Sequence, residues 1–272
     1  MWQQVPRPPF ETILSYYPES YTAFSDQRIR AVTRLKNWAI NAPRIRAYRR
    51  LVPTTGRILD LGCGSGLLLS ELRAAGFSAI VGVEANDQAA AAGWRQGLDI
   101  RTGSLESAAF PDNTFDLVII NHVLEHVPDP TGTLLEIGRL LSVGGLLIGE
   151  VPNLACLERM IFGRYWAGYH LPRHISFFDR PRLEEMLGKC GFDKISLEGK
   201  MQPANWLVSM SNWLRDRHPL MAERDPFSEN SFFWLAATAP IAWIANLLGS
   251  SPSLRFKAHK PESAFQGAQT FE

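Results

Sequence analysis

Three glycines at alternate positions, placed directly after a short apolar segment, constrain the fold of this chain more than any other feature. The apolar residues are Ile58, Leu59 and Leu61, and the glycines are Gly62, Gly64 and Gly66. Glycine adopts backbone angles that are closed to other residues, and it lets a ligand lie against the main chain. Residues 67–75 have a helical composition, so the turn would direct free N–H groups into the crevice above a buried strand. Open α/β sheets bind their ligands in that crevice.

The spacing of the glycines bears on the class of ligand. It is G-x-G-x-G, which differs from the G-x-G-x-x-G fingerprint of dinucleotide-binding turns, and no Lys-Ser or Lys-Thr pair follows Gly66 as it would in a P-loop. Asp60 stands just before the turn, where its carboxylate would repel a pyrophosphate and attract a cation. The turn therefore favours a ligand that carries an ammonium group, and it disfavours an NAD-dependent oxidoreductase.

Short apolar strands alternate with helices along the rest of the chain. Strands are predicted at residues 79–84, 98–102, 117–120, 146–151, 194–198 and 254–259, and helices at 87–96, 133–141 and 180–190. Gly144-Gly145 is expected to end the second of these helices. The alternation predicts an α/β fold, a Rossmann-like, doubly wound sheet of seven mostly parallel strands with an antiparallel last strand. Glu84 ends the second strand, where a carboxylate can accept two hydrogen bonds from a ribose diol.

Four motifs follow one another in the order found in one large family. They are Asp60-Leu-Gly-Cys-Gly-Ser-Gly66, Val83-Glu84, Phe115-Asp116-Leu-Val-Ile and Leu124-Glu-His-Val-Pro-Asp129. In these motifs the chain resembles the class I S-adenosylmethionine-dependent methyltransferases, strongly over residues 56–151 and more weakly to about residue 200. The resemblance implies S-adenosylmethionine as the cofactor. The residues that it implies for cofactor binding are Asp60, Gly62, Cys63, Gly64, Gly66, Glu84, Ala85, Ser104, Leu105, Asn121 and His122.

One of these positions departs from the family pattern. Ser104 stands where the family usually has an acidic residue that contacts the adenine amino group. Leu105 would still supply an apolar contact and a backbone N–H to the adenine, with Ser104 or Glu106 as the polar partner.

The segment Tyr165–Asp179 concentrates aromatic residues, two histidines and an arginine between predicted helices. It resembles a stretch found in methyltransferases of polysaccharide and lipid-linked glycan pathways and in relatives of the ubiquinone O-methyltransferase. A hydroxyl acceptor needs a base near the reactive methyl group, and histidine titrates near neutral pH. The candidates for this base are His174 first, His170 second and His122 third. The alternative is that these histidines brace the loop through backbone hydrogen bonds.

The series His122-x-x-Glu125-His126 also fits a zinc-peptidase pattern. That pattern requires both histidines on one continuing helix, and Pro128 and Pro130 interrupt any helix here. Some methyltransferases that resemble this series hold a divalent ion with a Glu, the Glu-His pair and a distant His, which would be His170 or His174. His122 replaces the first Glu, so no metal site is assigned. Glu125 and His126 are expected to brace the turn under the methionine end of the cofactor.

We expect four parts in the chain. They are an N-terminal arm with basic helices (1–51), the S-adenosylmethionine-binding core (52–200), an apolar helical insertion (201–252), and the last strand with a loose tail (253–272). The basic helices would present either a solvated face or a surface for anionic lipid or a phosphate-bearing substrate. Residues 230–254 are uncharged, so the insertion could be a transmembrane helix, a helical pair at a membrane interface, or a buried lid or dimer face.

The composition restricts the remaining function classes. Lys and Arg number 28 against 27 Asp and Glu, which gives no global attraction to nucleic acid. Cys63, Cys156 and Cys190 suggest neither a disulfide framework nor a zinc knuckle, and no secretory signal is expected. We predict a cytoplasmic methyltransferase, with a peripheral contact to the inner membrane face left open, that O-methylates an apolar or lipid-linked small molecule or glycan. The alternative is a non-catalytic cofactor-binding protein or membrane adaptor with the same fold.

Overall fold

The computed structural model describes residues 1–4, 42–218, 227 and 232–262. The predicted basic helix before residue 42 and the tail from residue 263 lie outside this part. The strands are β1 (Trp2–Gln3), β2 (Ile58–Leu61), β3 (Ile80–Glu84), β4 (Ile100–Thr102), β5 (Phe115–Asn121), β6 (Leu141–Pro152), β7 (Ser176–Phe177), β8 (Asp193–Lys200) and β9 (Ser253–His259). The helices are α1 (42–51), α2 (Leu67–Ala74), α3 (Asp87–Trp94), α4 (Pro130–Leu140), α5 (Leu157–Phe162), α6 (Arg180–Lys189), α7 (Pro203–Arg217) and α8 (Phe232–Leu247).

Seven of the strands form one sheet in the order β4-β3-β2-β5-β6-β9-β8. β2 lies between β3 and β5 and runs parallel to both, which suits its uninterrupted burial. β9 runs antiparallel to both β6 and β8. The predicted Rossmann-like sheet with an antiparallel last strand is confirmed. Its parallel strands place Leu61, Glu84 and Asn121 at one edge of the sheet.

Apolar side chains cover both faces of the sheet. Successive strand residues point to opposite faces, so Ile58 packs in a cluster with Tyr48 of α1 and Leu72 of α2. Leu59 packs in the cluster that includes Ile137 of α4. Tyr48 and Asn121 line the same cavity. α1 thereby lies beside the sheet edge at which β2, β3 and β5 end.

One predicted boundary is wrong. α4 ends at Leu140 and β6 begins at Leu141, before Gly144-Gly145 rather than after it. Leu141 pairs with Phe115 of β5, and the register then shifts before the regular pairing resumes at Leu146. Gly144 has a φ of +73°. The glycine pair therefore forms an irregularity inside a strand and does not end the helix.

The segment between β8 and β9 contains the helices α7 and α8. Trp206 of α7 packs on Ala242 and Ala245 of α8, with Leu157 and Phe162 of α5 against them. Among the described residues, no helix is both long enough and apolar enough to cross a membrane. The transmembrane alternative for this segment therefore gains no support.

Candidate active site

Close packing shapes the glycine turn after β2. The turn glycines share a left-handed backbone, with φ of +70° at Gly62, +56° at Gly64 and +80° at Gly66. A Cβ atom on Gly62 would lie 2.3 Å from Cγ2 of Val123, and one on Gly66 would lie 2.3 Å from Cδ1 of Leu98. The Cys63 side chain is buried in a small apolar cluster. Cys63 can therefore contact a ligand only through its main chain. A larger residue at Gly62 or Gly66 would require the neighbouring side chains to move.

Two acids flank this turn: Asp60, which is buried, and Glu84, which is half-buried. Burial raises the pKa of Asp60 to about 7; the charge of Arg44 opposes this rise and that of Glu84 adds to it. Burial also raises the pKa of Glu84, whose Oε2 accepts the N–H of Gly64 at 2.8 Å and whose Oε1 accepts the N–H of Asn86 at 2.9 Å. Such a pair of carboxylates suits a ligand with positive charge and hydroxyl donors, and it would repel a pyrophosphate.

The other predicted cofactor residues lie at the ends of neighbouring strands. Ala85 is exposed next to Glu84, and Asn121 ends β5 and lines a cavity together with Tyr48. Leu105 is buried in the larger apolar cluster. Ser104 is exposed, and its Oγ accepts an N–H from its own turn. The structure thus brings these residues to the same edge of the sheet, and their contacts with the cofactor stay predictions.

His122 is held between two glutamates directly after β5. Its Nδ1 lies 3.2 Å from Oε1 of Glu125, and its Nε2 lies 3.1 Å from Oε1 of Glu150. Loss of water around the ring would lower the pKa of His122, but the two carboxylates outweigh this and raise it to about 10. Both ring nitrogens then carry protons and donate to carboxylates. This geometry argues against His122 as a general base.

Glu150, which no sequence motif identified as a site residue, lies at the centre of a polar network. Nζ of Lys200 lies 2.8 Å from each carboxylate oxygen, and Nε2 of Gln202 lies 2.9 Å from Oε1. A buried carboxylate requires such partners. The available signal was a single charged residue inside the otherwise uncharged sequence of β6. Its partners come from the end of β8 and from the residues before α7, so the sequence alone does not identify them.

The loop after β5 meets the loop Tyr165–Asp179 in a cluster of Glu125, His126 and His174. One metal-ligand type atom from each residue lies within 4.8 Å of the others. Nδ1 of His126 lies 2.9 Å from the carbonyl oxygen of Arg173, and Nδ1 of His174 lies 2.8 Å from that of Gly168. A carbonyl oxygen only accepts, so each Nδ1 carries a proton and each neutral ring has its lone pair on Nε2.

In this cluster the glutamate is charged and the two histidines are neutral. Burial lowers the pKa of His126 and brings that of His174 to about 3, so both rings are neutral at pH 7. Burial alone would raise the pKa of Glu125, but the hydrogen bond and charge of His122 lower it to about 2. Oε2 of Glu125 is buried and has no hydrogen-bond partner among the described residues. A carboxylate and two oriented imidazoles can accept a proton from a hydroxyl group or hold a divalent ion.

His170, the second predicted base, lies beside this cluster. Its ring centroid is 5.0 Å from that of His174, and its Nε2 contacts the guanidinium of Arg173. Burial and the charge of Arg173 lower the pKa of His170 to about 4. The structure thus brings the three predicted histidines into one region. The backbone hydrogen bonds of His126 and His174 are also those that a loop-bracing role requires.

A cavity of about 420 Å³ adjoins the same edge on the side of the sheet that faces α1. Its charged lining residues are Arg44, Glu150, Glu198, Lys200, Arg255 and Lys257. Nε of Arg44 is buried, with no hydrogen-bond partner within the part of the chain that the structure describes. The cations outnumber the acids in this lining, which suits a carboxylate or phosphate group.

Comparison with known proteins agrees with this geometry. Residues 30–197 match the model of a family described as "Methyltransferase domain". The ubiquinone biosynthesis O-methyltransferase of Cereibacter sphaeroides is 30% identical over 168 residues, which are 57% of this chain and 68% of that protein. The enzyme of the same name from Azorhizobium caulinodans is 33% identical over 166 residues, 56% of this chain and 64% of that protein.

Solved structures share the fold. A methyltransferase of Haemonchus contortus, phosphoethanolamine N-methyltransferase 2 in complex with S-adenosyl-L-methionine, superposes with a TM-score of 0.58 at 18% identity, covering 94% of this chain and 61% of that one. A Thermotoga maritima protein, described as a SAM-dependent methyltransferase and possible histamine N-methyltransferase, gives a TM-score of 0.53 at 19% identity, covering 84% and 96%. At such identities the likeness concerns the fold alone.

Proposed function

This chain belongs to the class I S-adenosylmethionine-dependent methyltransferases, and from that premise we propose that it methylates a hydroxyl group of an apolar or lipid-linked acceptor, either a small molecule or a glycan. S-adenosylmethionine is its cofactor, which when bound supplies an electrophilic methyl group on a sulfonium sulfur.

The residues at the edge of the sheet fit this cofactor. Asp60 and Glu84 offer carboxylates to an ammonium group and to the two ribose hydroxyls, and both lie against the turn of Gly62 to Gly66. The raised pKa of both acids reflects buried negative charge that a cationic ligand would stabilise. Because the glycines carry no side chains, the ligand can lie against the main chain of the turn. The N–H groups of Gly62, Gly64 and Gly66 themselves donate to Val83, Glu84 and Cys63.

The cluster of Glu125, His126 and His174 is the observation that carries the choice of a hydroxyl acceptor. Its two neutral imidazoles each have the lone pair on Nε2, because a backbone carbonyl holds Nδ1. These nitrogens can take the acceptor's proton as the oxygen attacks the methyl group in line, although positioning supplies much of the rate. A divalent ion held by the same three residues would lower the pKa of a hydroxyl group bound to it.

Two observations support an acceptor that is apolar or lipid-linked. The relatives at about 30% identity are named as O-methyltransferases of ubiquinone biosynthesis. The segment from β8 to β9 adds two helices, and the second of them, α8, lies in the uncharged sequence from residue 230 to 254. An apolar surface next to the core suits a substrate that partitions out of water.

Transfer of a labelled methyl group to fractionated extracts tests the proposal. The protein is incubated with methyl-labelled S-adenosylmethionine and with separate lipid and glycan fractions, with and without added Mn²⁺. We expect label in an organic-soluble product or lipid-linked glycan, bound as a methyl ether that resists mild base. Binding of the cofactor without transfer to any fraction would favour the non-catalytic alternative, and an N-methylated product would contradict the hydroxyl assignment.

A further inference from the structure

The outer face of α8 consists of large apolar side chains that are exposed. We define this face by Phe233, Ile241, Trp243, Ile244, Leu247 and the adjoining Leu248, which are between 45% and 72% exposed. The side chains of α8 that are buried are small or polar: Thr238, Ala242 and Ala245. The hydroxyl group of Thr238 donates to the carbonyl oxygen of Trp234 in its own helix, and both alanines pack on Trp206 of α7.

In most helices the large apolar residues pack into the core and the small or polar residues are exposed; in α8 the exposed residues are the large apolar ones. A surface helix normally buries its apolar stripe and exposes polar residues. In α8 the small residues Ala242 and Ala245 pack on α7, and the large residues that form the outer face point away from it. α5, which packs on the same cluster through Leu157 and Phe162, also exposes Met160 and Ile161, at 73% and 58% exposure. A large exposed apolar surface such as the outer face of α8 marks an interaction site.

We propose that the outer face of α8 lies in the interfacial layer of a bilayer that contains anionic phospholipid. α8 has 16 residues, which makes it about 24 Å long. The hydrocarbon core of a bilayer is about 30 Å thick, so the described part of α8 is shorter than this core, and we place α8 along the surface of the bilayer. Its Phe, Ile and Leu side chains would enter the acyl region, and Trp243 would lie at the headgroup level, where indole rings concentrate.

Charge and sequence favour a lipid surface over a protein partner. Residues 230–254 contain no charged side chain, whereas the rim of a protein interface is polar and supplies hydrogen bonds. On the neighbouring helical segments, exposed cations outnumber acids: Arg164, Arg215 and Arg217 accompany Asp216. Asp216 is paired with Arg164 at 2.8 Å, and the guanidinium of Arg217 lies 5.4 Å from the ring centre of Trp213. This excess of arginine complements anionic headgroups.

The inference is independent of the proposed methyl acceptor, because vesicle binding is measured without cofactor or acceptor. The probes are vesicles of phosphatidylcholine alone and vesicles with about a quarter of phosphatidylglycerol, a fraction that gives an anionic surface. The test variant combines Ile244→Ser with Leu248→Ser. Val143→Ser is the matched control, since Val143 is an apolar side chain at 60% exposure that lies on β6.

Cosedimentation should show binding of the wild type and of Val143→Ser to the anionic vesicles, with weaker binding to phosphatidylcholine alone. The double variant should bind at least about tenfold more weakly, because two large apolar side chains are no longer transferred from water into the lipid. As a measurement that needs no variant, hydrogen exchange of the wild-type protein should slow in α8 when anionic vesicles are added. Absence of vesicle binding by the wild type would overturn the proposal. Concentration-dependent dimerisation that the double variant loses, without vesicle binding, would instead assign the face to a second copy of the chain.

Discussion

The imidazole rings of His126 and His174 meet edge to face, with 4.6 Å between their centroids and 81° between their planes. One ring follows β5 and the other precedes β7. The backbone N–H groups of Ile175 and Ser176 donate to the carbonyl oxygen of Glu125, which holds the two loops together. The candidate active site therefore forms only when both loops pack on the finished sheet.

The first prediction concerns metal binding at this pair. If a divalent ion binds to Glu125, His126 and His174, His126→Ala removes one of its ligands. The affinity for Mn²⁺ or Zn²⁺ should then fall by about 100-fold or more, because losing a direct ligand costs more than losing a residue that only hydrogen-bonds to a ligand. Isothermal titration calorimetry measures this, with His218→Ala as the control because His218 is exposed at the end of α7. If the wild-type protein binds neither ion, the cluster acts as a proton acceptor and not as a metal site.

The second prediction concerns the cofactor. Glu84→Gln should raise the Kd for S-adenosylmethionine by about tenfold or more, because it replaces charge-assisted hydrogen bonds to the ribose with neutral ones. Glu184→Gln is the control, since Glu184 is exposed on α6 and has no predicted contact with the cofactor. Calorimetry that finds equal affinities for wild type and Glu84→Gln would show that Glu84 only braces the turn through Gly64 and Asn86.

The third prediction concerns the Glu150 network. Lys200→Ala removes the ammonium group from a carboxylate that is 5% exposed, and it should lower the free energy of unfolding by about 1–3 kcal/mol. Lys189→Ala breaks the exposed pair of Lys189 with Glu185, in which both side chains are more than half exposed, and should change stability little. Urea unfolding of the two variants measures the difference. Equal stabilities would mean that water replaces Lys200 at Glu150.

The fourth prediction concerns pH. Glu158 of α5 is buried, and its Oε1 accepts the hydroxyl of Ser209 of α7. Burial raises the pKa of Glu158 from 4.5 to about 7, although the hydrogen bond from Ser209 opposes the rise. The folded protein thus holds this proton more tightly than the unfolded chain. The associated stability is fully present below about pH 4.5 and is lost as the pH rises through about 7.

Glu158→Gln should remove this dependence. The wild type should lose about 3 kcal/mol of stability relative to the variant between roughly pH 5 and pH 8, from 1.36 kcal/mol for each pKa unit. Subtracting the unfolding free energy of the variant from that of the wild type at each pH removes the contributions of the other titrating groups, which both proteins share. A difference that stays constant with pH would mean that Glu158 ionises in the folded state as it does in water.

The sequence predicted those parts of the site that local patterns determine. Asp60 is the last residue but one of β2, and Glu84 ends β3. Parallel strands bring their carboxyl ends together, so the meeting of these two acids followed from the alternation of strands and helices. His174 was a candidate from its chemistry alone. Its contact with His126 depends on how two loops pack, which no periodicity encodes.

Other features lay beyond local patterns. The pairing of Glu150 with Lys200 depends on the positions of β6 and β8 on either side of β9, and the single acid in β6 gave no indication of its partner. The outer face of α8 was equally hidden, because nearly every side chain of the helix is apolar. Only the packing of Ala242 and Ala245 on Trp206 decides which side faces away from the protein.

The rate of methyl transfer by His174→Ala tests the central claim most directly. The assay uses labelled S-adenosylmethionine at saturation and the extract fraction that accepts label from the wild type, with His218→Ala as the matched control. We predict a cofactor Kd close to that of the wild type and a transfer rate that is lower by about 100-fold or more, the usual effect of losing a group that accepts the proton or holds the acceptor. Transfer by His174→Ala at the wild-type rate would contradict the account.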